Sequence, residues 1–338
     1  MSGAALPYRL RPNKAVDRRL FMDLLLRCER YGDMVDHAYV SMAAYALEDQ
    51  KLVHRLLGIT RLLAFDMDAG IVARQEWNRP IDECKCRQFT SGALVADVDS
   101  ALQSSGINDA EGYIVWLDYT APKDLFVQIR EFETLVGQFK HRDVVRVTVN
   151  AEYGYWSGPN RIAGKPVAKE QLQKNAFERM KSVLGEYFPS NAKEQDMGPE
   201  LVASIISRAF GKAAGNAVSA TTGDVLEPLS ITRYADGQQM LSMTAMRANL
   251  LEASLMRARL GLSEWPFASS AWSDVKYLAV ADLTIRERLY LERNSSKSAS
   301  QIESDVGFNF DVVTEMPGFL ENFKTYYRHY PALTPVEL

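Results

Sequence analysis

The sequence predicts a doubly wound α/β protein: a mostly parallel sheet with helices on both faces, a helical insertion and a C-terminal antiparallel hairpin. Three observations predict it. Across residues 37–151, short apolar runs alternate with helical patterns, giving five strands in about 115 residues, the rhythm of parallel strands joined by crossover helices. Several of these runs end on polar side chains, Asp66, Asp118 and Asn150. That is expected where strand ends share one ligand-binding edge. Further on, two strand patterns flank the dipeptide Asp236-Gly237, a hairpin signal.

Each element follows from its local pattern. "NKAVDRRLFMDLLLRCER" (13–30) spaces its apolar residues as a helix does. Residues 37–45 read as a strand, and 47–58 as a helix stopped by Gly58. A strand (60–66), the helix "AGIVARQEWN", the short strand "CKCRQF" and a helix over 91–106 come next. "GYIVWLDY" (112–119) is the plainest buried strand, followed by an amphipathic helix from Pro122 and a strand over 142–151. "YGYWSGPNRIAGKP" then breaks the rhythm, and helices are expected near 170–187 and 199–212. The hairpin spans 226–248, "ANLLEASLMRARLG" reads as a helix, and short helices and loops lead to the aromatic-rich "FLENFKTYYRHYPAL". The organisation is thus an N-terminal helical segment (1–34), a Rossmann-like core (35–152), an insertion serving as lid or substrate region (153–225), a hairpin and helix completing the core (226–262) and an extension (263–338).

The 338 residues carry a formal net charge of -4, with 47% hydrophobic and 24% charged residues, the composition of an ordinary globular protein. Such a balance disfavours broad coating of nucleic acid, which stays a second reading for a local basic face. The N-terminus is too polar for a secretory signal, and no apolar stretch approaches the roughly 18 residues a membrane helix needs. A cytoplasmic protein with no membrane partner is expected. Three cysteines, Cys28, Cys84 and Cys86, make no disulfide framework. Cys84 and Cys86 would share one strand face, and the four histidines are scattered, so no metal is expected.

The stretch "LLAFDMDAGIVARQEWNRP" poses the functional question. A carboxylate at a strand terminus can accept both hydroxyls of a ribose, and Asp66 stands there; a cap or solvent role is the alternative. Asp68 reads as the N-cap of the following helix. The strand–helix order with its terminal hairpin resembles the class I S-adenosylmethionine-dependent methyltransferase fold. "LLAFDMDAGIVARQEWN" is similar to that family's second-strand motif, with Asn78 in its last place. The resemblance covers 35–151 and 226–248.

The resemblance implies S-adenosylmethionine as cofactor, no metal, and a set of site residues. The loop in "VSMAAYALED" would approach the cofactor through Ser41 and Ala43, although Ala43 and Ala44 stand where the family carries glycines. Asp66 would hold the ribose, and Thr90 and Ser91 the adenine edge, unless they cap a helix. Glu48 and Asp49 would support the cofactor's amino group or simply favour a helix start. "WLDYTAP" occupies the place of the catalytic loop. It is distantly similar to the Asp-Pro-Pro-Tyr motif of amino-methyltransferases through Asp118 and Tyr119, without the two prolines. Asp118 could accept a substrate proton there; a plain strand end is the other reading. Asn150, Tyr153 and Trp156, with Tyr155, would bind substrate or fill the core.

Three expectations follow. Asp118 and Tyr119 face one pocket beside Asn150, and the segment after the fifth strand folds over that edge as a lid. The basic N-terminal stretch (Tyr8, Arg9, Arg11, Lys14, Arg18, Arg19) is a solvated helix face rather than a phosphate site. The implied activity is methyl transfer to an unknown acceptor. The alternative is a non-catalytic nucleotide-binding or protein-interaction module of the same fold, for instance in a bacterial defence or modification system. Oligomeric state is left open.

Overall fold

In the computed structural model, which describes residues 11–218, 223–316 and 318–330, the chain begins with α1 (Pro12–Cys28). It then alternates through β1 (His37–Ser41), α2 (Glu48–Leu57), β2 (Leu62–Asp66), α3 (Ala69–Trp77), β3 (Lys85–Gln88), α4 (Ser91–Ala96), α5 (Val98–Ser104), β4 (Gly112–Asp118), α6 (Leu125–Gly137) and β5 (Val144–Asn150). Next come α7 (Tyr153–Ser157), the two-residue strands β6 (Arg161–Ile162) and β7 (Lys165–Pro166), α8 (Lys169–Leu184) and α9 (Pro199–Val218). The hairpin is β8 (Asp224–Ala235) and β9 (Gln239–Asn249). After it lie α10 (Ala253–Leu260), β10 (Lys276–Tyr277), α11 (Ile285–Arg293), α12 (Ala299–Val306), α13 (Phe310–Val313) and α14 (Phe319–Tyr326).

Eight strands form one sheet in the order β10-β8-β9-β5-β4-β1-β2-β3. β1 to β5 run parallel, and β9 enters antiparallel between β5 and β8. This is the methyltransferase-type doubly wound sheet, with its direction of winding reversing between β1 and β4. Alternation along each strand sets two layers. Val115, Leu117, Val145, Val147 and Val149 face α4, α5, α6 and α9. Tyr39, Ala64, Cys86, Ile114 and Trp116 face α1, α2, α3 and the C-terminal helices.

Local chemistry explains the departures from expectation. The helix foreseen over 91–106 is two helices, because Asp97 takes an extended conformation and its carboxylate caps α5 through the Ser100 N–H at 2.9 Å. α9 runs beyond residue 212 to Val218 and buries one face against the sheet and α6. Phe210 meets Phe132 of α6 edge-to-face at 5.1 Å, and Trp272 lies so close to Gly211 that a Cβ there would stand 2.5 Å from its ring. β10 has two residues and no periodicity to betray it. The C-terminal aromatics Phe310, Phe319, Phe323 and Tyr326 are buried in the α1 layer.

The basic start of α1 is not a solvated face. Lys14 and Arg18 are buried and paired with Asp118 and Glu48. Asp17, one turn along, meets Arg146 of β5 beneath the helix. Charged side chains predicted for water therefore dock α1 onto the sheet. Tyr8 and Arg9 lie outside the described residues.

Candidate active site

The carboxyl ends of β1, β2, β4 and β5 bring Ser41, Asp66, Asp118 and Asn150 to one edge. In register, Ser41 pairs with Ala64 and Trp116, and Asp118 with Thr148. All four positions share the α1 face.

Asp66 is half-buried, and one of its oxygens accepts the Asp68 N–H at 2.8 Å. Asp68 caps α3 by accepting from Gly70 and Ile71 at 2.7 and 3.0 Å. The roles read for the two acids are thus separated: one fixes the helix, the other stays at the strand end. Between them Met67 is 73% exposed. In the sequence Met67 carries one mark, an apolar residue held between two acids.

The loop after β1 is pinned by α3. Gln75 donates to the Ala43 carbonyl at 2.6 Å, Asn78 to the Tyr45 carbonyl at 3.1 Å, and the Arg74 guanidinium lies 3.5 Å from the centre of the Tyr45 ring. Asn78 is therefore a tie between α3 and this loop. Leu47, with φ of 52°, caps α2 in the left-handed region, whereas Ala43 and Ala44 are not left-handed. Alanine in place of glycine costs no backbone strain here. Ser41 is buried, donating to Asp49 at 2.6 Å and accepting from Gln50 at 3.0 Å. Asp49 also takes the Tyr39 hydroxyl at 2.9 Å. Glu48 and Asp49 are thus first-turn acids held by protein partners.

Asp118 and Tyr119 do not share a pocket. Consecutive residues of an extended chain point to opposite faces. Asp118 turns toward α1, where Lys14 Nζ donates to its Oδ2 at 2.8 Å. Its Oδ1 is buried without a hydrogen-bond partner. Tyr119 turns into the other layer, its hydroxyl 2.5 Å from Glu131 of α6. Burial, then the Glu131 carboxylate, holds that hydroxyl well above the usual tyrosine range. The first turn of α1 covers Asp118, and two cavities border that turn without Asp118 in their walls. One, of 560 Å³, is lined by Asn13, Asp236, Gly237 and Val280 among others; the second, of 220 Å³, by Ala15, Arg18, Glu48 and Lys51 among others.

Asn150 is buried and oriented by three contacts. It donates to Gln238 at 2.9 Å and Thr120 at 3.5 Å, and accepts from the Glu152 N–H at 2.9 Å. Thr90 caps α4 by accepting from Ala93 at 3.1 Å, and Ser91 is half-buried beside it. Trp156 is buried in the apolar layer, Tyr155 meets it edge-to-face at 5.0 Å, and Tyr153 is half-buried against the same layer. Among the described residues, no group of three or more His, Cys, Asp or Glu could hold a metal ion. No helix among them is long and apolar enough to cross a membrane.

Comparison with known proteins gives one family and some distant likenesses of fold. A family model described as "Putative O-methyltransferase" matches residues 6–338. No curated protein matches the chain in sequence. Among solved structures, Trm1 from Pyrococcus horikoshii in complex with S-adenosyl-L-methionine is similar at 10% identity and a TM-score of 0.37, covering 71% of this chain. The chain spans only 56% of that protein's length. A 16S rRNA (adenine(1408)-N(1))-methyltransferase from Catenulisporales acidiphilia, a tryptophan-to-alanine mutant, gives 10% identity and a TM-score of 0.32 over 69% of this chain and 91% of that one.

The donor set fits S-adenosylmethionine. Asp66 offers a carboxylate for a diol, Met67 an exposed apolar side chain beside it, and the loop after β1 a backbone free of strain at Ala43 and Ala44.

Proposed function

The chain belongs to the methyltransferase family whose model spans residues 6–338, and from that premise we propose that it methylates an oxygen acceptor at the carboxyl end of β4. S-adenosylmethionine is the family's methyl donor, and when bound it supplies a sulfonium-activated methyl group. The observation that carries the proposal is the state of Asp118: one oxygen held by Lys14, the other buried and without a partner. An unsatisfied buried acceptor costs about 1–3 kcal/mol, and an acceptor hydroxyl would satisfy it. With the donor bound, Asp118 Oδ1 would take the acceptor's proton as the methyl carbon exchanges its bond to sulfur for one to the acceptor oxygen, S-adenosylhomocysteine being the leaving group. Lys14 keeps the carboxylate aimed. The rest of the task is alignment of the reacting oxygen, which direct displacement demands above all.

The other residues of this edge take supporting roles in the proposal. Asp66 takes the ribose hydroxyls, Met67 covers one face of the adenine, and Thr90 and Ser91 stand at its edge. Ser41 and Ala43 shape the loop that receives the methionine part. Asn150 and Tyr153 border the acceptor side, while Trp156 anchors α7 beneath them. Tyr119 is a positioning residue, tying β4 to α6 through Glu131. Because Lys14 and its turn of α1 cover Asp118, acceptor entry requires that turn to lift.

The test is Asp118→Asn. It should fold as the parent does and lower the release of S-adenosylhomocysteine by about 10²–10⁴-fold, assayed with a panel of phenols and other hydroxyl compounds as acceptors. Equal turnover in the variant would remove Asp118 from the chemistry. A second reading, a cofactor-binding module without transfer, is favoured by the cover over Asp118 and the pinned loop after β1. Cofactor binding with no product from any acceptor would favour it.

A further inference from the structure

Two clefts flank α2, and they share Lys51 and Arg55. The first, of 220 Å³ between α1 and α2, includes Arg18, Arg19 and Glu48 in its wall. The second, of 410 Å³, lies toward the far end of α2 and includes His54, Trp77 and Arg79. Together they make one path from the carboxyl edge of the sheet, at Ala15 and Glu48, along α2 to the end of α3. From Glu48 to Arg55 the path follows about 10 Å of helix.

Its charge is one-sided. Glu48 is consumed by Arg18, and Arg79 by Glu76 and nearby carbonyls. Among the described residues, Arg19, Lys51 and Arg55 pair with no carboxylate. Arg19 instead donates to the Tyr330 carbonyl, and Lys51 to the Ala46 carbonyl at 2.8 Å, within the loop after β1. An ammonium has three donors, so Lys51 keeps capacity for a second partner. At the far end Trp77 is 90% exposed. So exposed a tryptophan buries little apolar surface for the fold.

Unneutralised cations leading to an exposed indole are the chemistry that binds single-stranded nucleic acid: cations for the phosphates, an aromatic plane for an unstacked base. A protein partner docking by apolar burial would want an apolar rim around the indole, and here Pro80 is the one apolar neighbour in a wall of Lys51, His54, Arg55, Asn78 and Arg79. We propose that the path along α2 binds single-stranded nucleic acid, with Trp77 stacking on a base and Arg19, Lys51 and Arg55 on the backbone. This assigns a substrate class and rests on the methyl-transfer reading for its relation to the edge.

The experiment measures fluorescence anisotropy of fluorescein-labelled 20-nucleotide oligo-U and oligo-dT, without cofactor. At low salt the protein should bind at least one of them, more weakly as salt rises. Trp77→Ala should weaken binding about tenfold or more, Trp77→Phe should retain most of it, and Arg55→Glu should weaken it and flatten the salt dependence. Preference between the two oligomers separates RNA from DNA. Both weakened variants should melt like the parent and keep S-adenosylmethionine binding by calorimetry. No binding of either oligomer at low salt would overturn the proposal. So would affinity unchanged by Trp77→Ala, with inorganic polyphosphate competing as well as the oligomer. Since oligonucleotide and cofactor are titrated separately, failure here is distinct from failure of the methyl-transfer reading.

Discussion

On the side of α6 and α9, β4 and β5 present Val115, Leu117, Tyr119, Val145, Val147 and Val149 to one apolar layer. On the side of α1 the same two strands begin apolar, with Ile114, Trp116 and Val144, and turn polar toward the edge, with Arg146, Asp118, Thr148 and Asn150. That second face is as dry as the first. Asp17 and Arg146 are buried against each other, and Asp17 also accepts from Thr232 at 2.7 Å and Ser242 at 3.1 Å. Arg146 adds Thr244 at 2.9 Å and lies 4.7 and 4.9 Å from the ring centres of Phe21 and Trp116. The apolar face needs only shape and area. The polar face needs every partner present, since a half-satisfied buried network is costly. One face is scaffold; the other ties α1 to the strands and leads to Lys14 and Asp118 at the edge.

The largest expected effect comes from breaking the polar face. Asp17→Ala leaves Arg146 buried without its carboxylate and should cost about 3–5 kcal/mol in urea unfolding. Replacing both, Asp17→Leu with Arg146→Met, should recover most of that loss, because buried pairs are often replaceable by apolar residues. If Asp17→Ala costs less than 1 kcal/mol, the network is not what holds α1.

A somewhat smaller effect comes from the same face at its other edge. His37 is buried, and neither ring nitrogen has a hydrogen-bond partner. Burial, reinforced by Arg142, lowers its pKa from the usual 6.5 to about 4. The unfolded chain therefore takes up this proton first as pH falls. The stability His37 contributes is complete above about pH 6.5 and is lost progressively down to about pH 4. The total is on the order of 3 kcal/mol. NMR titration of the ring checks the sign: a His37 signal still neutral at pH 5.5 agrees, and one titrating near 6.5 does not.

The comparison also shows what the sequence could disclose. Parallel strands were legible because Val, Ile and Leu runs announce them, and the hairpin because Asp236-Gly237 announces its turn. Strand ends on acids marked the edge. What stayed hidden was contact at long range. Nothing near Asp118 indicates that Lys14, far away in the chain, covers it, or that Asp17 will seek Arg146. Helical spacing describes α1 as a helix, yet its buried charges read as a wet face because their partners lie on strands. Asp118 and Tyr119 were joined by adjacency in sequence, and the period of two along a strand parts them. Gly112 was no signal either, although a Cβ there would stand 2.6 Å from Asp143 and 2.7 Å from His37.

The smallest free-energy difference tests the central claim, that the edge above the polar face receives S-adenosylmethionine at Asp66. Calorimetric titration of the parent, Asp66→Ala and Asp68→Ala with S-adenosylmethionine and S-adenosylhomocysteine reads it directly. Asp66→Ala should lose about 1.5–3 kcal/mol of affinity, roughly 10- to 150-fold, as a charged hydrogen-bond partner is removed. Asp68→Ala should keep its affinity and lose about 1 kcal/mol of stability with its cap. No heat from the parent at millimolar ligand, or equal affinities for the two variants, would contradict the account.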